Sequence, residues 1–137
     1  NFYFHLIFKN VTLVQSAAGE IFDQMLRIGP GDVLVGISFP RYSQIAVNAV
    51  RFARDRGADV IAVTDSKMSP IYKMASASLL VSSDMISFVD SMAAPVSLLN
   101  ALIMAVGQQK SGETAESFSE LERVWSQYGV FGDAEDE

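Results

Sequence analysis

The sequence predicts an α/β domain, a three-layer αβα sandwich whose parallel sheet is covered by helices on both faces. Three observations carry that prediction. Short runs rich in Val, Ile and Leu alternate with longer stretches of helical periodicity. Most of those short runs are apolar on both faces, as interior parallel strands are and half-exposed antiparallel strands are not. A strand, a tight turn, a helix and a second strand are legible in succession around Ser38 to Asp65.

The opening "NFYFHLIFKN" is apolar but has no basic start and no small-residue cleavage site, and it is too short to cross a bilayer. It reads as the end of a buried helix, with His5 packed on it. The chain opens on Asn1 rather than Met, so further sequence is expected upstream. "VTLVQ" (Val11 to Gln15) reads as a first strand, and Glu20 to Ile28 as a short helix. "IGPGD" supplies turn residues before the next strand, Asp32 to Ser38.

In "SQIAVNAVRFARDRGAD" the residues Ile45, Ala49, Phe52 and Ala53 recur at helical spacing, and Asn48, Arg51, Arg54 and Asp55 take the other face. Gly57 stands where a helix C-terminal glycine belongs. The next strand is "DVIAVTD", Asp59 to Asp65, and a weaker one is "ASLLVSS", Ala77 to Ser83. A crossover between parallel strands is expected to be right-handed.

Ser87 to Gly107 is apolar nearly all round but interrupted by Asp90, Pro95 and Asn100, so burial against the core or a second subunit is expected, not a membrane span. Pro95 either kinks this helix or opens its main part. In "GETAESFSELERVWSQYG" a stripe of Phe118, Leu121, Val124 or Trp125, and Tyr128 predicts a last helix, stopped by Gly129. Ser117 and Glu120 have capping-box spacing. Asp133 to Glu137 reads as a solvated acidic tail.

These elements fit one domain over residues 1–137, a piece of a longer chain. A net charge of −6 and an isoelectric point near 4.7 argue against a segment that grips nucleic acid through its phosphates, which needs a basic face. Mean hydropathy is +0.24 with half the residues apolar, so a packed core is expected. The chain has no cysteine, which excludes disulfides and thiol chemistry and fits a cytoplasmic location. One histidine and scattered carboxylates give no metal-ligand spacing, and no metal or cofactor is expected.

The chemistry concentrates in "GISFPRYSQ", Gly36 to Gln44. Open α/β sheets bind ligands beyond the carboxyl ends of their strands. A helix starting near Ser43 turns free N–H groups and the positive end of its dipole into that corner, where Ser38 and Ser43 add hydroxyls and Arg41 adds charge. That set suits an anion, a phosphate above all. The alternative is a plain corner: Ser43 as a helix N-cap, Ser38 closing a turn and Arg41 solvated. Neither GxxxxGK followed by Ser or Thr nor GxGxxG occurs, so nucleotide binding of the usual kinds has no motif. Asp65, Ser66 and Ser69 follow a strand and either line the same crevice or form the turn before Pro70.

"GDVLVGISFPRYSQ", with its helix and then "GADVIAVTDSKMSPIYKMASASLLV", resembles the central part of a sugar isomerase (SIS) domain, and more narrowly the phosphosugar-binding domain of RpiR-type transcriptional regulators. "SFVDSMAAPVSLLNALIMAV" and "ELERVWSQYGVF" resemble the C-terminal helices of that group, so the likeness runs from Val11 onward. It implies a flavodoxin- or Rossmann-type SIS fold lacking its first strand. Ser38 falls on the first serine of the family's looser SxSGxT pattern and Ser43 on its threonine, while Pro40 replaces the second serine and Arg41 the glycine.

The resemblance implies a sugar phosphate ligand held by Ser38, Arg41, Tyr42 and Ser43, with Arg41 and Tyr42 either touching it or ordering the loop, and Asp65 and Ser66 as further candidates. It also implies a homodimer or homotetramer, and DNA contact only through a helix-turn-helix domain outside this segment. Where isomerase-type SIS domains carry a glutamate, Gln44 and Ile45 stand, so no catalytic residue is assigned and sensing outranks isomerisation. A dimerisation domain with an empty corner is the third reading.

Overall fold

The computed structural model describes residues 2–15, 20–83 and 91–131. Its elements run α1 (Phe2–Ile7), α2 (Ile21–Gln24), β1 (Val33–Ile37), α3 (Gln44–Asp55), β2 (Asp59–Thr64), a 3-10 turn at Tyr72–Met74, β3 (Ala77–Leu80), α4 (Ala93–Gln109) and α5 (Ser111–Gln127). The three strands form a parallel sheet in the order β1-β2-β3. The fold class expected from sequence is thus present, with β1, α3 and β2 as its βαβ unit.

The register places Val33 beside Asp59 and Ile37 beside Val63, then Ile61 beside Ala77 and Thr64 beside Leu80. Turn chemistry starts β1. Asp32 N–H closes on the Gly29 carbonyl (3.1 Å), Asp32 Oδ2 accepts the Gly29 N–H (2.9 Å), and Gly31 has φ 91°, which follows the Pro-Gly pattern of a type II turn.

The helix α3 packs on the sheet face bearing Leu34, Gly36, Val60 and Ala62. Gly36 permits the approach, since a Cβ there would lie 2.7 Å from Val50 Cγ2. The core joins Ile21 and Met25 to Val47, Val50 and Ala53 of α3, Val60 and Ala62 of β2, and Ile71. A Schellman motif ends α3: Gly57 N–H bonds the Arg54 carbonyl (2.9 Å), Ala58 N–H bonds that of Ala53 (3.1 Å), and Gly57 has φ 85°. The glycine expected at that point is in place.

The chain divides into two compact units, Val14–Leu99, which holds the sheet, and Asn1–Leu13 with Asn100–Glu137. In the second, α1 meets α5 through Phe2 stacked on Trp125 at 6.4 Å, and Ile7 Cδ1 lies 3.7 Å from where a Cβ on Gly107 would sit.

Several expectations change. Val11 to Gln15 is not a strand: the Gln15 backbone N–H and carbonyl bond the side-chain amide of Gln24 (3.2 Å each), so its polar groups find a partner outside any sheet. The helix expected over Glu20 to Ile28 shortens to α2. The helix α4 begins at Ala93, which puts Pro95 in its first turn, where a missing N–H costs nothing. Of the two burials expected for it, that within the core is not seen at Val96 and Met104, which are exposed and leave a second subunit as the alternative; the upstream part of that segment, 87–90, lies outside the described residues, as does the acidic tail. The helix α5 starts at Ser111, so Ser117 and Glu120 are interior and form no capping box. His5 lies on α1 as expected, but exposed. Among the described residues no helix is long and apolar enough to cross a membrane.

Candidate functional site

The sequence-predicted corner lies at the carboxyl ends of β1 and β2. The ladder continues one residue past β1, Ser38 N–H donating to the Val63 carbonyl at 3.1 Å. Thr64, fully buried, donates its hydroxyl to the Ser38 carbonyl at 2.7 Å. Together these bonds pin the two strand ends, so that the buried Ser38 starts the loop from a fixed point.

From there the backbone passes the exposed Pro40 and reaches Arg41, also exposed, at φ 65°. A left-handed conformation costs a residue with a Cβ about 1–2 kcal/mol. It falls where the looser SxSGxT pattern has its glycine, the residue that adopts this conformation freely.

Ser43 occupies the N-cap position of α3, with φ −60° and ψ 122°, and its carbonyl accepts the Val47 N–H at 3.0 Å. Its side chain makes no cap hydrogen bond. The hydroxyl is therefore not spent on the helix, and neither it nor the Ser38 hydroxyl enters a hydrogen bond among the described residues. The first-turn N–H groups of α3 are likewise left for an external acceptor.

Tyr42 turns to β2. Its ring packs against the core, and its hydroxyl donates to Asp65 Oδ1 at 2.9 Å. Burial of the ring raises the Tyr42 pKa, and the hydrogen bond and negative charge of Asp65 raise it further, with the Ser66 hydroxyl opposing. Asp65 Oδ1 also lies 3.2 Å from Thr64 Oγ1, whose single proton has its shorter partner in the Ser38 carbonyl.

The structure thus sets Ser38, Arg41, Tyr42 and Ser43 on one loop and joins Asp65 to it through Tyr42. Ser66 serves its turn, its Oγ accepting the Met68 N–H at 3.0 Å. Ser69 is fully buried, and its Oγ has no partner among the described residues. Such a group is costly to leave unmade. Thr64 was missed in the sequence because a threonine ending a strand reads as an ordinary β-former; its tie to the Ser38 carbonyl appears only once β1 and β2 are paired.

Comparison with known proteins agrees with the fold. The SIS domain family model matches residues 1–105. An uncharacterized HTH-type transcriptional regulator of Caldanaerobacter subterraneus subsp. tengcongensis is 30% identical over 100 residues, which cover 70% of this chain and 36% of that protein. The chain therefore spans about a third of the length of the curated relative it matches. The sugar isomerase domain of an RpiR transcription factor from Sphaerobacter thermophilus superposes with a TM-score of 0.82 at 20% identity, over 89% of this chain and 68% of that one. A structure described as a hypothetical protein matches with a TM-score of 0.54 and 27% identity, over 66% of this chain and 56% of the other. With the family model covering most of its length and the fold in agreement, this chain belongs to the SIS domain family.

Proposed function

We propose that the chain is the effector-sensing part of a bacterial transcriptional regulator and that a sugar phosphate binds at the corner between β1 and α3. One observation carries this reading: Ser43 stands at the N-cap of α3 with its hydroxyl unspent on the helix. A serine kept at that position without capping leaves both its own O–H and the first-turn N–H groups for a ligand. Ser38 adds a second hydroxyl and Arg41 a cation, with Tyr42, Asp65 and Ser66 bordering the loop. The kinship with an HTH-type regulator supports a DNA-binding domain elsewhere in the whole protein; a cytoplasmic homo-oligomer is part of the same proposal. Ligand binding alters that oligomer only if one arrangement of subunits binds the sugar phosphate better than the other.

Isomerisation has less support. A proton shuttle between adjacent carbons needs a poised base. Gln44 and Ile45 offer none, and the Asp65 carboxylate is engaged by Tyr42.

The test is thermal unfolding of the regulator-length protein with a panel of sugar phosphates and their unphosphorylated counterparts, beside a Ser38→Ala, Ser43→Ala variant. At a hundredfold excess over Kd, a ligand that binds only the folded state adds about 2.7 kcal/mol. One phosphosugar should raise the melting temperature by several degrees in the parent and leave the variant unmoved. No shift with any member would point instead to a dimerisation domain without a ligand.

A further inference from the structure

Arg41 holds a backbone conformation that residues with a Cβ avoid, and such a conformation persists only where its surroundings over-determine it. The loop is fixed at its start by the Ser38 bonds and at its end by α3. Between them a third restraint acts on the residue next to Arg41. The Tyr42 ring is set against the core, and its hydroxyl reaches Asp65 Oδ1 at 2.9 Å, 23 positions along the chain. A phenol donating to a carboxylate is a charge-assisted bond, stronger than a neutral one.

We propose that the Tyr42–Asp65 hydrogen bond is a clasp that holds the Ser38–Ser43 loop in its left-handed turn, with Tyr42 as a positioning residue and Asp65 as its anchor. A phenol has one proton, and this one is spent on Asp65, so Tyr42 has none left to donate to an anion. The bond also engages the Asp65 carboxylate at the end of β2. That the loop so held receives a phosphosugar rests on the function proposed above; the clasp itself does not.

Arg41 is exposed, and trypsin cleaves after arginine, so the cleavage rate between Arg41 and Tyr42 reports the state of the loop without any ligand. Tyr42→Phe keeps the ring and loses the donor, Asp65→Ala loses the acceptor, and Asp65→Asn keeps an acceptor oxygen. Breaking one charge-assisted bond should raise cleavage at this position about tenfold in Tyr42→Phe and in Asp65→Ala. The double variant should be no faster than either single, because both remove the same bond. Asp65→Asn, which keeps the acceptor but loses its charge, should fall between wild type and Asp65→Ala, and cleavage at other Lys and Arg residues should not change, which separates a clasp from general loosening.

Unchanged cleavage in Tyr42→Phe, or independent effects that multiply in the double variant, would overturn the clasp. Affinity for whichever sugar phosphate the wild type binds should fall by one common factor in Tyr42→Phe, Asp65→Ala and their combination. If the wild type binds no member of the panel, the phosphosugar reading fails, and the cleavage comparison still decides the clasp.

Discussion

Thr64 and Tyr42 divide the work of holding the loop, and both act through single protons. Thr64 ties the Ser38 carbonyl to β2 inside the protein; Tyr42 ties the far side of the loop to Asp65. The second tie has a consequence in alkaline solution. The Tyr42 pKa is raised in the folded state, by burial first and then by Asp65, above an ordinary value of about 10. The stability this group contributes is therefore fully present below about pH 10, and is lost as pH rises through the higher folded value, since the unfolded chain gives up its proton first. Urea unfolding of wild type and Tyr42→Phe between pH 8 and 11 should show a stability difference that shrinks above pH 10. A difference constant over that range would contradict the assignment. In the sequence, Ser38 and Ser43 could be singled out because a strand end and a helix start bracket them locally. Asp65 could be named as a candidate for the same crevice, but its bond to Tyr42 could not be read, because it lies across a strand pairing that local pattern does not encode.

Among the elements, β1 and α3 meet most closely at Gly36. A Cβ on that residue would sit 2.7 Å from Val50 Cγ2, and Val50 is itself almost fully buried. Gly36→Ala should destabilise the domain by about 1–3 kcal/mol through overpacking. Adding Val50→Ala should return part of that loss, because the colliding methyl is then gone; chemical denaturation of the two single variants and the double gives the comparison. If the double variant equals the sum of the singles, the contact is not the cause. At this scale the sequence reads well where punctuation is strong: "IGPGD", Gly57 and Gly129 mark boundaries that the structure keeps. The last also closes a Schellman motif, with Val130 N–H on the Trp125 carbonyl at 3.0 Å. It reads poorly where an apolar run lacks such marks. Val11 to Gln15 has strand composition but no neighbouring strand among the described residues, and composition alone cannot supply one.

For the whole molecule, the αβα class was legible because both-faces-apolar strands leave few other arrangements. What was not legible is how completely one chain covers its own apolar surface. Val33, Val35 and Ile37 alternate along β1 on the face opposite α3, and they are 56%, 37% and 45% exposed. Val96 and Met104 of α4 and Phe131 beyond α5 are exposed as well. An apolar row exposed along one strand, as on β1, is a feature of association sites, which supports the homo-oligomer proposed above. Sedimentation at micromolar concentration should find a dimer or larger species, and glutamate in place of Val35 and Met104 should shift it toward monomer. A parent chain that sediments as a stable monomer would remove oligomerisation from the functional proposal.

The left-handed arginine of the loop bears on how this protein would respond to selection in the laboratory. Replacing Arg41 by glycine relieves the backbone and deletes the cation in one step, so heat resistance and ligand recognition pull on this position in opposite directions. A library sorted only for survival at high temperature would enrich glycine there and discard the charge with it. A library sorted for effector response would keep the arginine and carry its conformational cost.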